Sequence, residues 1–162
     1  MNDSMEGSIG RLLRQKKLSL AVAESCTGGL ICSRVTDVSG SSDYFPGGIV
    51  AYSNEIKVSQ LGVSPETLKH HGAVSEQTVV EMAQGIRHRF NSGIGLSVSG
   101  IAGPSGGTPD KPVGTVWVGL STDNFVRSRL FRFKGDRLAN KESAARAALE
   151  FLLDYLGEES TG

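Results

Sequence analysis

The sequence predicts an α/β fold, specifically a three-layer α/β/α sandwich around a mixed, partly parallel sheet. In the first half of the chain, short apolar runs alternate with segments whose apolar residues recur at helical spacing. This alternation is typical of parallel strands joined by crossover helices. From Ile94 onward, three strand patterns follow one another, and the last two suggest a hairpin that adds an antiparallel part to the sheet.

The first half of the chain holds two apolar runs short enough to be strands, and a helical pattern follows each of them. The elements expected there are a helix over roughly Met5–Lys17, a strand over Leu18–Ala23, a helix over Gly28–Val38, a loop over Ser39–Asp43 and a strand over Gly47–Tyr52. If the two strands run in parallel, their carboxyl ends lie at the same edge of the sheet.

Three helix-start signals lie between the second and third predicted strands. Ser53 or Asn54 can cap a short helix directly after the second strand. Ser64 before Pro65 marks a second start, with proline at the first helical position. Ser75 can cap a longer helix, whose apolar stripe consists of Val79, Met82, Ala83, Ile86 and Phe90.

The second half of the chain is expected to contain three strands and a closing helix. Apolar residues alternate with small or polar ones over Ile94–Val98 and Val116–Leu120, which is the pattern of strands. A loop rich in glycine and proline, Gly100–Pro112, separates these strands, and Phe125–Phe133 can pair back on the second. The closing helix carries its apolar face at Ala145, Ala148, Leu149, Leu152 and Leu156.

Composition and charge narrow the class of protein. Seventeen basic residues balance seventeen acidic ones. The chain therefore lacks the excess of basic residues that is typical of nucleic-acid-binding proteins. No apolar run approaches the ~20 residues that cross a bilayer, and the amino terminus lacks the features of a signal peptide. The two cysteines, Cys26 and Cys32, have neither metal-site spacing nor a disulfide framework. We therefore expect one cytoplasmic domain over residues 1–162, without nucleic-acid or membrane partners.

The segment Ala23–Gly29 joins a predicted strand to a predicted helix and is the most informative part of the chain. Free backbone N–H groups and the positive end of the helix dipole meet at such a turn and suit an anion or a developing oxyanion. Ser25, Cys26 and Thr27 are three candidate nucleophiles or hydrogen-bond donors. The segment also has a purely structural interpretation, because threonine is a good helix cap.

Three loops should meet at the carboxyl ends of the predicted strands, where open α/β sheets bind ligands. Their polar side chains are Ser25, Tyr52, Asn54, Lys57, Ser99 and Lys111. No Ser-His-Asp set is apparent, since the three histidines fall on polar segments. A lysine can replace histidine as the base of a serine nucleophile where burial lowers its pKa. Spacing alone leaves open whether Lys57 is that base or a surface lysine of a short helix.

A series of short motifs occurs in one order along most of the chain. The motifs are Ala23-Glu-Ser-Cys-Thr-Gly-Gly29, Gly40-Ser-Ser42, Gly47-Gly48, Tyr52-Ser-Asn-Glu-Ile-Lys57, Leu61-Gly-Val63, Gly72-Ala-Val-Ser75, Ser99-Gly-Ile-Ala-Gly-Pro104, Gly106-Gly107 and Lys111-Pro-Val-Gly-Thr115. Together they resemble the CinA C-terminal-domain family of nicotinamide-nucleotide amidases, which hydrolyse nicotinamide mononucleotide to nicotinate mononucleotide and ammonia. The region Phe133–Arg137 is similar as well.

The resemblance implies a serine/lysine hydrolase that uses no metal and no other cofactor. Ser25 would be the nucleophile, Lys57 the general base and later the acid, and Tyr52 a further catalytic hydroxyl. The implied substrate-binding residues are Thr27, Gly28, Gly29, Ser42, Gly48, Asn54, Ser99, Gly103, Lys111 and Arg137. The expected partner is a small-molecule nucleotide substrate, and a homodimer is a further expectation.

Backbone N–H groups are the expected donors to the oxyanion of amide hydrolysis. The candidates are those around Thr27–Gly29 or around Gly47–Gly48. For the 5′-phosphate of the substrate, the candidates are the Ala102–Gly107 loop, Lys111 and Arg137.

The sequence departs from the family's usual pattern in three respects. Ser99 stands where threonine is common, which keeps the hydroxyl group. Lys141 follows Arg137 by four positions, where a second basic residue is common, and it lacks the planar fork of arginine that suits phosphate. Many family members also carry a large N-terminal domain resembling molybdopterin-binding proteins, so we expect this chain to be the stand-alone amidase form.

The residues leave other interpretations open. Ser41 or Ser42 is a rival nucleophile in a flexible loop, and Cys26 would be a thiol nucleophile without an evident histidine partner. The protein could also belong to a different functional class, as a nucleotide-binding or regulatory module of the same fold without catalytic activity. The family's names refer to competence and DNA damage, but direct DNA binding would weaken steeply with salt, whereas turnover of a small substrate would not.

Overall fold

The structure is a computed structural model and describes residues 3–158, so the predicted domain span of 1–162 extends slightly beyond it. The elements in chain order are α1 (Met5–Lys16), β1 (Leu20–Glu24), α2 (Leu30–Thr36), a 3₁₀ turn (Ser41–Asp43), β2 (Gly47–Val50), α3 (Asn54–Leu61), α4 (Pro65–His71), α5 (Glu76–Phe90), β3 (Ile94–Gly100), β4 (Thr115–Ser121), β5 (Val126–Arg132) and α6 (Arg137–Glu158). Each strand and helix expected from the sequence is present, with ends shifted by a few residues.

The five described strands form one mixed sheet in the order β2-β1-β3-β4-β5. Strand β1 pairs in parallel with both β2 and β3, whereas β4 pairs antiparallel with β3 and β5. The carboxyl ends of the three parallel strands therefore lie side by side, with Glu24 opposite both Val50 and Val98. The expected mixed, partly parallel sheet is confirmed.

Helices cover both faces of the sheet, which confirms the three-layer sandwich. Helices α1, α2 and α6 pack on one face, where Leu20 and Val22 of β1 join the larger core cluster. Helix α5, with α3 and α4 beside it, packs on the other face, where Ala21 and Ala23 point. No helix among the described residues is long and apolar enough to cross a membrane.

Helix α5 lies unusually close to the sheet because glycines face it. A methyl group placed on Gly95 would lie 2.1 Å from the carbonyl oxygen of Ala83, and one on Gly119 would lie 2.5 Å from that of Val79. This close packing brings the loop before α5 over the end of β3, where the Ser99 hydroxyl donates a 2.8 Å hydrogen bond to the carbonyl of Ala73. The fold thus places a fourth loop beside the three predicted ones.

The predicted helix starts are confirmed by the geometry of their caps. The hydroxyl of Ser53 accepts from the N–H of Ile56, and that of Ser75 accepts from the N–H of Thr78. Pro65 occupies the first turn of α4. Helix α2 is shorter than expected, because Gly28 and Gly29 have φ angles of +62° and +104° and so form a turn rather than a first helical turn.

Candidate active site

A cavity of about 270 Å³ opens at the carboxyl ends of β1, β2 and β3. Its lining comes from the three predicted loops, from the loop between α4 and α5, and from the start of α6. The lining residues are Ser25, Cys26, Tyr52, Asn54, Lys57, Ala73, Val74, Ser99, Gly100, Ala102 and Arg137. The topology therefore brings together most of the polar residues that the sequence placed at this edge.

Ser25 and Lys57 form a direct polar contact inside this cavity. The Nζ atom of Lys57 lies 3.0 Å from the Oγ atom of Ser25, although the two residues are 32 positions apart in sequence. Ser25 is the first residue after β1, and Lys57 lies in α3, which begins soon after the neighbouring strand β2. The parallel pairing of these strands is what aligns the two side chains.

Lys57 is almost completely buried, with 1% of its surface exposed. Its amino group donates hydrogen bonds to the carbonyl oxygens of Ala51, at 2.8 Å, and Tyr52, at 3.2 Å. Within residues 3–158, no carboxylate forms an ion pair with it. A protonated Lys57 donates to the Ser25 hydroxyl as a third partner, whereas a neutral Lys57 keeps the two carbonyl contacts and can accept from that hydroxyl.

Burial lowers the pKa of the Lys57 ammonium below its ordinary value of 10.5, because the charged form loses hydration. A thiolate at Cys26 would oppose this shift. However, burial raises the pKa of the Cys26 thiol to about 12, so the thiol is uncharged near neutral pH. The environment therefore favours the neutral, basic form of Lys57 and makes Cys26 a poor nucleophile.

The turn that follows Ser25 is tightly hydrogen-bonded at its base. The N–H of Ser25 donates to the carbonyl of Val98 at 3.1 Å, and the N–H of Gly28 donates back to the carbonyl of Ser25 at 3.1 Å. In the described part of the chain, the N–H group of Thr27 has no hydrogen-bond acceptor, and that of Cys26 interacts only with its own side-chain sulfur. Both groups follow Ser25 in the turn, where they can donate to an oxyanion.

The N–H groups at the start of helix α2 already bind a carboxylate of the protein itself. The buried carboxylate of Glu24 accepts from the N–H of Ile31 at 2.9 Å and of Cys32 at 3.0 Å. It also accepts from the hydroxyl of Thr27 at 2.5 Å. None of these three contacts uses the backbone N–H groups of Thr27–Gly29 that the sequence indicates as donors to an oxyanion.

Tyr52 and Arg137 meet at the mouth of the cavity. The guanidinium group of Arg137 donates to the hydroxyl of Tyr52 at 3.1 Å and to the carbonyl of Gly103 at 2.7 Å. Tyr52 is 61% exposed, and in this arrangement its hydroxyl pairs with Arg137 rather than with Ser25. The contact links the loops after β2 and β3 to the start of α6.

The two remaining predicted residues of the cavity wall differ in what they can offer a ligand. Asn54 is exposed at the start of α3, so its amide is available. Ser99 is buried, and its hydroxyl is already donated to the carbonyl of Ala73. Gly103 contributes its carbonyl to Arg137 and has a φ angle of +91°, so its role here is to shape the loop.

Seven predicted site residues are not part of this lining. Thr27, Gly28, Gly29 and Gly103 lie in the loops that border the cavity, and the other three lie elsewhere. Gly48 lies in β2 beside Val22, where an added methyl group would clash with the sulfur of Cys32, so close packing explains the glycine. Ser42 and its neighbour Ser41 lie before β2, at the amino-terminal edge of the sheet. Lys111 lies in a separate groove, where its ammonium donates to the carbonyl of His71 at 2.6 Å.

Lys141 lies closer to the site than its sequence interpretation implied. It shares a surface groove with Thr27, Gly28 and Gly29, and a methyl group on Gly28 would lie 3.7 Å from its ammonium nitrogen. Helical spacing explains this position, because residues 137 and 141 face the same side of α6. Both basic side chains of the first turns of α6 therefore border the loops of the site.

Sequence reasoning missed three contributors: Glu24, the Ala73–Val74 segment and Asn140. Asn140 is buried and donates to the carbonyls of Ala102 and Gly135, so it fastens the glycine-rich loop to α6. The sequence held a signal for this role, because Asn140 lies on the same side of α6 as buried alanines. A buried amide needs hydrogen-bond partners. The Gly72-Ala-Val-Ser75 motif was noted without a role, although its place before a helix cap marks a loop.

Within residues 3–158, no group of three or more His, Cys, Asp or Glu side chains could hold a metal ion. The histidines lie away from Ser25: His70 contacts Glu66 one helical turn away, and His88 contacts Arg87. A lysine is therefore the base that the geometry presents to the serine.

The fold and the cavity define an α/β protein with a buried serine–lysine pair at the carboxyl edge of its parallel strands. The chain belongs to the CinA C-terminal domain family, which it matches over residues 2–156. It is 52% identical over 159 residues to a CinA-like protein of Thermotoga neapolitana and 51% identical over 147 residues to one of Salinibacter ruber. These matches cover 98% and 91% of this chain but only 39% and 36% of the relatives, so the chain spans less than two fifths of their length.

Solved structures show the same fold. A CinA superfamily protein from Klebsiella pneumoniae superposes with a TM-score of 0.91 at 34% identity, covering 95% of this chain and 96% of its own. The competence/damage inducible protein CihA from Agrobacterium tumefaciens gives a TM-score of 0.88 at 37% identity, covering 97% and 98% of the two chains. Both of these structures correspond in length to the present chain.

Proposed function

We propose that this protein hydrolyses the carboxamide of nicotinamide mononucleotide to nicotinate mononucleotide and ammonia, with Ser25 as nucleophile and Lys57 as its proton carrier. The observation that carries the proposal is the 3.0 Å contact between Ser25 Oγ and a Lys57 Nζ that is almost fully buried. The choice of nicotinamide mononucleotide as the substrate rests on the resemblance of the motifs to nicotinamide-nucleotide amidases.

In the first step, neutral Lys57 takes the proton of the Ser25 hydroxyl while the oxygen attacks the carboxamide carbon. The carbonyls of Ala51 and Tyr52 hold the amine in place by accepting its two N–H groups, so its lone pair faces Ser25. The product of this attack is a tetrahedral intermediate with a negatively charged oxygen.

The backbone N–H groups of Cys26 and Thr27 would stabilise that oxyanion. Cys26 directly follows the nucleophile, the position of one oxyanion donor in the strand–helix elbow of other serine hydrolases, and Thr27 is the next residue. The turn needs little reorganisation, because Val98 and Gly28 already fix the backbone of Ser25. The hydroxyl of Tyr52 accepts from Arg137, so its own O–H is still available to donate to substrate.

In the second step, protonated Lys57 gives its proton to the amide nitrogen, the carbon–nitrogen bond breaks and ammonia leaves. An ester between Ser25 and the nicotinate group remains. Lys57, again neutral, takes a proton from water, whose oxygen attacks the ester. The bond between the carbonyl carbon of the ester and Ser25 Oγ then breaks, and protonated Lys57 gives its proton to Ser25 Oγ, which restores both residues. The nicotinate product leaves as an acid that ionises in water, so one water is consumed and no cofactor takes part.

The phosphate of the nucleotide would lie toward the mouth of the cavity. Among residues 3–158, the oxygens that accept from Arg137 there are the neutral ones of Gly103 and Tyr52, which a charged phosphate can replace. Lys141 borders the same end of the turn. Lys111 lies in a neighbouring groove and is no longer part of the proposed phosphate site.

The test is ammonia release from nicotinamide mononucleotide by the wild type and by Ser25→Ala, Lys57→Ala and Ser42→Ala. We expect loss of activity in the first two variants and wild-type activity in the third. Lys69→Ala, an exposed lysine of α4, is the matched control for Lys57. Activity that survives Ser25→Ala would refute the nucleophile, and binding without turnover in the wild type would favour the silent nucleotide-binding module.

A further inference from the structure

A buried carboxylate beside the serine–lysine pair has no part in the chemistry described above. Glu24 directly precedes Ser25 and has no exposed surface. Its two oxygens accept from the hydroxyl of Thr27 and from the N–H groups of Ile31 and Cys32. Burying a carboxylate is unfavourable unless its oxygens are hydrogen-bonded, and here three donors satisfy that condition.

The turn that Glu24 holds has backbone hydrogen bonds of its own, from Gly28 to Ser25 and from Leu30 to Thr27, but its glycines need further support. It contains Gly28 and Gly29, both at positive φ, and glycine has more backbone freedom than any other residue. The carboxylate ties Thr27, at the centre of this turn, to the first residues of α2. The segment carrying Ser25 and the proposed oxyanion donors is therefore fixed at both of its ends.

Glu24 is also joined to the lysine side of the pair through its backbone. Its carbonyl oxygen accepts from the N–H of Ala51 at 2.7 Å, and the carbonyl of Ala51 in turn accepts from Lys57 at 2.8 Å. Glu24 is therefore connected to the turn that carries Ser25 and, through Ala51, to Lys57.

We propose that Glu24 is a positioning residue: its carboxylate holds the Ser25–Gly29 turn so that Ser25 Oγ stays aligned with Lys57 Nζ. This proposal rests on the proposed function for its kinetic consequence. Its structural consequence, a rigid turn, does not depend on which substrate the protein uses. Glu24 touches neither the substrate nor the reacting atoms.

The test compares Glu24→Gln with the wild type. The glutamine keeps the volume of the side chain but turns an NH₂ group toward backbone donors. We expect kcat for nicotinamide mononucleotide to fall by about 10- to 100-fold with KM changed by less than about twofold, since misplacement of a reacting group mainly affects the chemical step. Hydrogen exchange at the amides of Gly28 and Leu30, which are hydrogen-bonded within the turn, should become faster.

Two further variants separate positioning from general stability. Thr27→Val removes one of the three donors and should give a smaller fall in kcat in the same direction. Ser64→Ala removes the cap of α4, outside the cavity, and should lower stability without changing kcat.

Unchanged kcat and unchanged exchange in Glu24→Gln would overturn the proposal, even if the variant were as destabilised as Ser64→Ala. If the wild type does not hydrolyse the nucleotide, the proposed function fails, and the exchange measurement alone decides: faster exchange supports the positioning of the turn and unchanged exchange refutes it.

Discussion

The side-chain amide of Asn140 donates a 3.0 Å hydrogen bond to the carbonyl of Ala102, which fastens the glycine-rich loop after β3 to the first turns of α6. The same side chain donates to the carbonyl of Gly135 and accepts from its N–H, so all three contacts hold backbone groups. Arg137, one turn earlier, contacts the next carbonyl of the loop, that of Gly103. The shape of the cavity wall therefore depends on side chains far away in sequence.

Replacement of Asn140 by alanine should destabilise the protein by about 2 kcal/mol, because buried backbone groups lose their partners. It should also lower kcat/KM, since the Ala102 wall of the cavity loosens. Urea unfolding and steady-state kinetics measure the two effects. Asn124→Ala, an exposed asparagine in the β4–β5 turn, is the matched control and should change neither quantity. Full stability in Asn140→Ala would contradict this account.

The activity should increase with pH through the lowered pKa of Lys57. Burial holds this pKa below 10.5, and only the neutral amine can accept the proton of Ser25. A plot of kcat/KM against pH should therefore show a rising limb whose midpoint lies below 10.5. Lys57→Arg should be inactive at every pH, because the guanidinium group does not lose its proton in this range. A flat profile would argue against a lysine base.

Lys57 should also make folding stability depend on pH. Because its pKa is lower in the folded state, the unfolded chain binds more protons between that pKa and 10.5, and stability rises with pH across this interval. Lys57→Met lacks this dependence. The stability of the wild type relative to this variant should therefore increase from neutral pH toward 10.5, as measured by denaturant unfolding at several pH values. A constant difference would mean that the pKa is not shifted.

Cys26 should be dispensable for catalysis although it lines the cavity. Its thiol pKa of about 12 leaves almost no thiolate at neutral pH, and the thiolate is the nucleophilic form. Cys26→Ser should keep kcat within about threefold of the wild type, since its backbone N–H remains in place. Iodoacetamide should label the native protein slowly. Rapid labelling with loss of activity in Cys26→Ser would revive the thiol nucleophile.

Spacing alone left the role of Lys57 open, and the family resemblance supplied its pairing with Ser25. The topology explains the pairing: Ser25 directly follows β1, α3 with Lys57 begins soon after β2, and neighbouring parallel strands end at one edge. The same rule explains why two other predicted residues lie away from the cavity. Ser42 and Gly48 lie before or within β2 rather than after it, so they belong to the opposite end of the sheet or to its packing, and a stricter use of chain order would have shown this.

Other features depend on packing that local sequence does not encode. The pattern identified the Ala23–Gly29 turn, yet whether a ligand or a side chain takes the N–H groups at the start of α2 depends on how Glu24 is oriented in the folded core. The positions of Lys111 and Lys141 likewise depend on how the loop after β3 and helix α6 meet the sheet. Sequence patterns give the order and type of elements, but not such side-chain directions.

Arg137 should contribute to binding of the substrate phosphate rather than to the chemical step. It lies at the cavity mouth and donates to neutral oxygens, which a phosphate can replace with stronger, charge-assisted hydrogen bonds. Arg137→Lys loses the planar fork and should raise KM for nicotinamide mononucleotide about 10-fold while kcat changes little. Turnover of nicotinamide riboside, which lacks the phosphate, should be the same in the variant and the wild type. Arg132→Lys, an exposed arginine of β5, serves as the control. An equal loss with both substrates would show that Arg137 acts on the cavity wall through Gly103 and Tyr52 instead.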